Sequence, residues 1–120
     1  VIDLIGRRYE LGADGSGPEG KIDCIHLVYI VRQRLGLPCP TFRSDWYRCN
    51  RFTVYRDLLR WGSRISGPAY DGDVALVAEQ SWVFAVVWDQ GLLIISGISS
   101  KVRWFPFTGV RSCQLFRHRE

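Results

Sequence analysis

The chain predicts an α+β domain in which N-terminal helices pack on a five-stranded antiparallel sheet. Apolar residues recur with helical spacing only in the first half. Strand-sized apolar runs separated by short turns fill the second half, after Gly67-Pro68. Size fits the same picture. The 120 residues supply one hydrophobic core, and 47% hydrophobic with 23% charged residues is a globular composition, so residues 1–120 are read as a single domain.

Residues 1–9 read as a short helix or turn leading to Tyr9. The next stretch, Gly12 to Gly20, is too rich in glycine for regular structure and lacks the phosphate-loop pattern, which argues against nucleotide binding. A helix then runs from Cys24 to about Leu35. Cys24, Leu27, Val28, Val31 and Leu35 define its buried stripe, Asp23 is its N-cap, and Gly36 with Pro38 and Pro40 stops it. A second helix spans about Thr53–Trp61, with Thr53 as N-cap and Val54, Leu58 and Trp61 on one side. Strands follow at 73–78, 82–88, 92–96, 101–105 and 112–116, paired in order as a meander because the turns are short. The second and third are apolar on both faces, so the sheet is expected to be covered on both sides or buried against a partner.

Composition excludes several function classes. No apolar run reaches the ~18 residues of a membrane span. Four cysteines, at 24, 39, 49 and 113, form no CxxC pairs and have only His26 and His118 beside them, so neither a metal site nor another cofactor is expected. Reduced thiols are the simplest reading, with a Cys39–Cys49 bridge left open. The net charge of +4 comes from 14 Arg and 2 Lys against 12 acids. Six of the Arg fall between 43 and 64, interleaved with aromatics. Arg43, Trp46, Tyr47, Arg48, Arg51, Tyr55, Arg56, Arg60 and Trp61 form a candidate protein-interaction surface, since Arg and aromatic residues dominate binding hot spots. The competing reading is a solvated helix face with an aromatic inner side. No nucleic-acid motif accompanies the patch, and nucleic acid is not expected as a partner.

The chemistry-bearing feature is Asp23-Cys24. A cysteine on the first turn of a helix meets unpaired backbone N–H groups and the positive end of the helix dipole, and both favour thiolate. Cys24 is therefore a candidate nucleophile; the alternative is an ordinary buried cysteine.

The order of these motifs resembles the NlpC-type family of papain-like cysteine peptidases. Gly6-Arg7-Arg8-Tyr9-Glu10-Leu11-Gly12 is similar to the family's opening glycine-x-x-tyrosine-x-x-glycine. Ile22-Asp23-Cys24 with Leu27-Val28 resembles its catalytic helix start, and Leu35-Gly36-Leu37-Pro38 the end of that helix. Tyr70-Asp71-Gly72-Asp73-Val74 resembles the opening of its central sheet, and Val83 to Ser96 the hairpin that follows. The resemblance implies a papain-like fold, Cys24 as nucleophile, and Tyr9 and Asp23 lining the pocket for a substrate amine. It also implies peptidoglycan stem peptides as the substrate class of active members, or a place in bacteriophage tail tips.

The departures from that family are chemical. The general base, a His, would fall on or beside Trp82, where residues 81–85 are Ser, Trp, Val, Phe and Ala. The orienting polar residue falls near Ile95. A thiol near its reference pKa of ~8.5 needs a paired base both to ionise and to protonate the leaving amine. His26 lies about 200° around the helix from Cys24. His118, in the terminal Arg117-His118-Arg119, is the remaining candidate base. Three functions are thus in view. The favoured one is a catalytically degenerate domain serving as a structural or interaction component of a phage tail or baseplate, located in the virion or cytoplasm. It would be partnered by other protein subunits or further copies of itself. The alternative is an active peptidase or amidase on peptidoglycan; the remote third is a lipid-handling relative with Cys24 as a buried acyl acceptor. The chain opens on Val1 and shows no signal-peptide pattern.

Overall fold

A computed structural model describes residues 2–40, 51–78, 82–95, 101–107 and 113–118. A 3-10 turn at Ile2–Leu4 precedes α1 (Cys24–Arg34) and α2 (Arg51–Trp61). Six strands follow: β1 (Gly62–Ile65), β2 (Val74–Ala78), β3 (Trp82–Trp88), β4 (Gly91–Ile94), β5 (Arg103–Pro106) and β6 (Cys113–His118). The class is α+β, with two α-helices and one antiparallel sheet of six strands rather than five among the described residues. None of these helices is long and apolar enough to cross a membrane.

The sheet order is β1-β6-β2-β3-β4-β5. β2 to β5 form the expected meander, with Leu76 opposite Phe84, Val86 opposite Leu93 and Leu93 opposite Trp104. β6 departs from it. Instead of pairing with β5 it crosses to the far side of β2, where Phe116 lies opposite Val74, and its other edge takes up β1. β1 was missed because Gly62-Ser63-Arg64-Ile65 shows no strand-like alternation and continues from α2 without a break. Its glycine is required by contact: a Cβ on Gly62 would collide with the Arg117 carbonyl across the pair.

Both faces of the sheet are buried, as the doubly apolar strands require. α1 lies over β3 and α2 over β1 and β6. On this face Leu27, Val28, Val31, Leu58, Val74, Phe84, Val86 and Phe116 form the main core, each at most 1% exposed. Burying side chains of this size contributes about 1.5–3 kcal/mol apiece before ordering costs. On the opposite face Ala75, Val77, Ala85, Val87, Leu92 and Ile94 form a second cluster, with Ala69, Phe107 and Leu115 packed against it.

α1 is buried more completely than its predicted stripe. Leu27, Val28 and Val31 face the core as expected, but Leu35 is the C-cap and is exposed, while Ile25 and Arg32 are buried. Arg32 reaches inward because three partners receive it. Its Nε donates to the Pro38 carbonyl at 2.6 Å, its Nη1 to the Gly72 carbonyl at 2.6 Å, and its guanidinium lies 4.7 Å from the Trp61 ring centroid. Thr53 is not the cap of α2; the helix begins two residues earlier, at Arg51. The start of β2 is fastened to β6 by a fork. Buried Asp73 accepts from Arg117 Nε at 2.9 Å and Nη2 at 2.7 Å, and from the Tyr70 N–H at 2.9 Å. Arg117 also covers the Tyr70 ring at 3.8 Å.

Candidate functional site

The glycine-rich segment wraps one short piece of chain, Ile22-Asp23. Ile22 forms a parallel bridge with Tyr9 and an antiparallel one with Asp14. Its N–H donates to the Arg8 carbonyl at 3.0 Å, and the Asp23 N–H donates to the Ala13 carbonyl at 3.0 Å. Gly15 sits at φ +88°, where a Cβ would run into the Ile22 side chain, so glycine here permits close wrapping. What the loop encloses is a carboxylate. Asp23 is fully buried and accepts three hydrogen bonds: from the Gly12 N–H at 2.9 Å, the His26 N–H at 2.7 Å and His26 Nδ1 at 2.9 Å. Asp23 thus caps α1 as expected, and the same carboxylate anchors the preceding loop.

Cys24 opens the helix beside it, half-buried at the edge of the core. Burial pushes its thiol up from 9.0 to about 11, and the neighbouring Asp23 charge adds to the rise. Backbone hydrogen bonds from Phe84 of β3, and from Cys24 and Ile25 of the helix itself, oppose the rise without cancelling it. The helix terminus therefore acts in the expected direction and loses to desolvation. Tyr9 closes the group. Its phenol is also shifted upward, by burial first and then by the Cys24 and Asp23 charges.

The structure thus brings Tyr9, Asp23 and Cys24 together and sets Cys24 against the Phe84 backbone. The two imidazoles are engaged by other partners. His26 lies on the loop side, bonded to Asp23 and 6.2 Å from the Tyr29 ring. His118 belongs to β6 rather than to a loose tail, with its ring 5.2 Å from Trp61. Through the pairs Phe84–Leu76 and Leu76–Gln114, it sits two strands across and four residues along from Phe84. That is a separation on the order of 16 Å from strand spacings.

Of the proposed interaction surface, Arg43, Trp46, Tyr47 and Arg48 lie outside the described residues, and Arg51 is placed only as the first residue of α2. The rest divides by chemistry. Tyr55 meets Phe116 edge-on at 5.5 Å and Trp61 packs under Arg32, while Arg56 and Arg60 are exposed. Tyr55 and Trp61 thus pack against the core. Cys39 is a free thiol near the Tyr29 carbonyl. Among the described residues no three His, Cys, Asp or Glu side chains gather as metal ligands.

The sequence reading missed the Asp23–His26 pair. Its signal was present: a capping Asp followed three residues later by a hydrogen-bonding side chain is a variant of the capping box. Comparison of the chain with protein-family models and with curated proteins finds no match.

Proposed function

We propose that this chain is a catalytically silent NlpC-type domain that works as a structural and interaction component, in the setting of a phage tail or baseplate assembly. The resemblance in motif order supports the family, and the setting follows by analogy with that family alone. The state of Cys24 carries the loss of catalysis. A thiol with a pKa of about 11 is ionised to roughly one part in ten thousand at pH 7. The facing strand from Val83 to Trp88 presents no side chain able to accept a proton. Peptide cleavage also needs an acid to protonate the departing amine, and neither a backbone N–H nor a helix dipole provides one. Asp23 is meanwhile engaged three times over as a structural acceptor.

The test is alkylation of Cys24 by iodoacetamide at pH 8, followed by peptide mapping, beside digestion of purified peptidoglycan. The expected rate is at least about tenfold below that of a free cysteine. The ~200-fold deficit in thiolate is only partly offset by the greater nucleophilicity of a more basic sulfur. No stem-peptide fragments should be released. Rapid alkylation at neutral pH, with fragment release that vanishes in Cys24→Ala, would return the domain to the active peptidases. The assembly half is tested separately by sedimentation of the chain alone and with its native particle; a strict monomer with no partner there removes it.

A further inference from the structure

We propose that the wedge between β5 and the N-terminal turn is a carbohydrate-binding subsite for a neutral pyranose glycan, with the Trp104 indole beneath a sugar ring and the Trp104 peptide groups paired with two adjacent ring hydroxyls. This goes beyond the structural-component reading and does not rest on it. The wedge exists because the N-terminal chain follows β5 only part of the way. Val102 accepts from the Gly6 N–H at 2.9 Å and donates to the Arg7 carbonyl at 2.9 Å. The residues before them turn away: Ile2–Leu4 is a 3-10 helix, and the Ile5 N–H is given to the Ile2 carbonyl at 3.1 Å. An open groove of about 530 Å³ is left, whose walls include Ile5, Gly6, Arg103 and Trp104.

The polar half of the match comes from the strand. Backbone groups alternate sides along a strand. Those of Arg103 and Phe105 face β4, where a Cβ on Gly91 would strike the Phe105 carbonyl, so those of Val102, Trp104 and Pro106 face the open edge. Val102 is taken by the N-terminal chain, and Pro106 has no N–H. Within β5, Trp104 alone thus offers the groove both a donor and an acceptor. One such residue is too little for a guest strand, which draws its affinity from a run of main-chain pairs. It suits a ligand with one donor and one acceptor at the spacing of a single extended residue. Neighbouring equatorial hydroxyls of a pyranose have that spacing.

The indole supplies the apolar half. Its Nε1 donates to the Trp88 carbonyl at 2.8 Å, and its ring lies against Gly91, where a Cβ would come within 2.6 Å of it. Held at both points and still 37% exposed, it is a fixed apolar plate rather than a mobile side chain. Ile5, 42% exposed, extends the apolar surface from the N-terminal wall, and Gly6 beside it leaves open space. A pyranose carries the complementary pair of surfaces, with C–H groups on each ring face and hydroxyls around its rim. Asp89 and Gln90 follow the Trp88 carbonyl in the chain and are exposed, so hydrogen-bonding side chains stand at that end of the indole for further hydroxyls. The match is one of shape and hydrogen bonding, with no ion pair in it.

The probe is cellotriose, whose rings carry only equatorial hydroxyls, titrated into the isotope-labelled full chain and followed by amide and indole N–H shifts in NMR. Shifts should centre on the backbone and indole N–H of Trp104 and on Ile5 and Gly6, with a Kd on the order of 1 mM. The fully O-methylated trisaccharide keeps the rings and loses every hydroxyl donor, so it should bind at least about fivefold more weakly. Sorbitol has adjacent hydroxyls and no ring face, and should not bind. Trp104→Ala should weaken cellotriose at least about tenfold, with its urea midpoint measured alongside. The two ligand controls use the wild-type chain, so the test stands even where that variant does not fold. No binding at about 10 mM, equal binding of the methylated sugar or of sorbitol, shifts centred elsewhere, or full affinity in a folded Trp104→Ala would each overturn the proposal. Cys24 does not enter this readout: a reactive Cys24 would end the silent-domain reading and leave the subsite standing.

Discussion

Asp23 and Cys24 meet the same helix terminus with different partners. A helix terminus contributes about 0.3–1 kcal/mol to a nearby charge, less than a tenfold change in an ionisation constant. For the thiol that is too little to offset burial; for the carboxylate, three donors are aimed at it directly. Asp23 was legible from sequence because capping is a local property. The thiol's shift was not, because it depends on β3 arriving some 60 positions later in the chain. Asp23→Asn should therefore cost about 1–3 kcal/mol in urea unfolding, although Asn caps helices nearly as well as Asp, because an amide offers one oxygen to three donors. Cys24 has a further pH signature. Its pKa is higher in the folded chain than in the unfolded one, so its contribution to stability is complete below about pH 9 and declines as pH rises toward 11. Denaturation midpoints measured across that window should fall less steeply in Cys24→Ala than in the wild type.

Among the elements, the β3–β4 hairpin separates what a pattern reveals from what only contact reveals. The turn was visible as Asp89-Gln90-Gly91, and glycine would ordinarily be assigned the left-handed position. The structure puts Asp89 at φ 51° and Gln90 at φ 62° instead, and uses Gly91 as a strand residue beneath Trp104. Two adjacent positive φ values are the geometry of the tight turn that suits strand twist, and glycine enters it without steric cost. Gln90→Gly should stabilise the chain by about 1 kcal/mol, read as a higher urea midpoint at unchanged slope. Gly91→Ala should do the reverse, since it forces Trp104 and the Phe105 carbonyl away. α1, β2, β3 and β4 were legible because their periodicity or apolar content is strong. β1 was not, being four residues whose only reason for extension is the edge of β6.

For the molecule as a whole, sheet order was the least legible property. Short turns dictate nearest-neighbour pairing, and that logic holds from β2 to β5. It fails at β6, whose position is fixed by side chains that act at a distance: Arg117 on Asp73, Phe116 under Tyr55, His118 against Trp61. Arg117→Met tests the strongest of these. Asp73 would stay buried with the Tyr70 N–H and the more distant Arg32 charge but without its guanidinium fork, at an expected cost of about 2–3 kcal/mol, moderated because Arg117 is partly open to water. Chemical denaturation should register the loss, and amide exchange should show β1 and β6 loosening together while the β3–β5 hairpins keep their protection.

The placement of β6 also sets a timetable. It is sixth to be synthesised and second in the sheet, flanked by strands made roughly 40 and 50 positions earlier. Until the ribosome has delivered it, β1 has no partner strand among the described residues and one side of β2 stands bare, so a nascent chain carries an adhesive apolar flank while the roughly 40 residues from β2 to β6 are made. Chaperone dependence during synthesis, relieved once residues 113–118 emerge, is the cellular cost of closing a sheet from its middle.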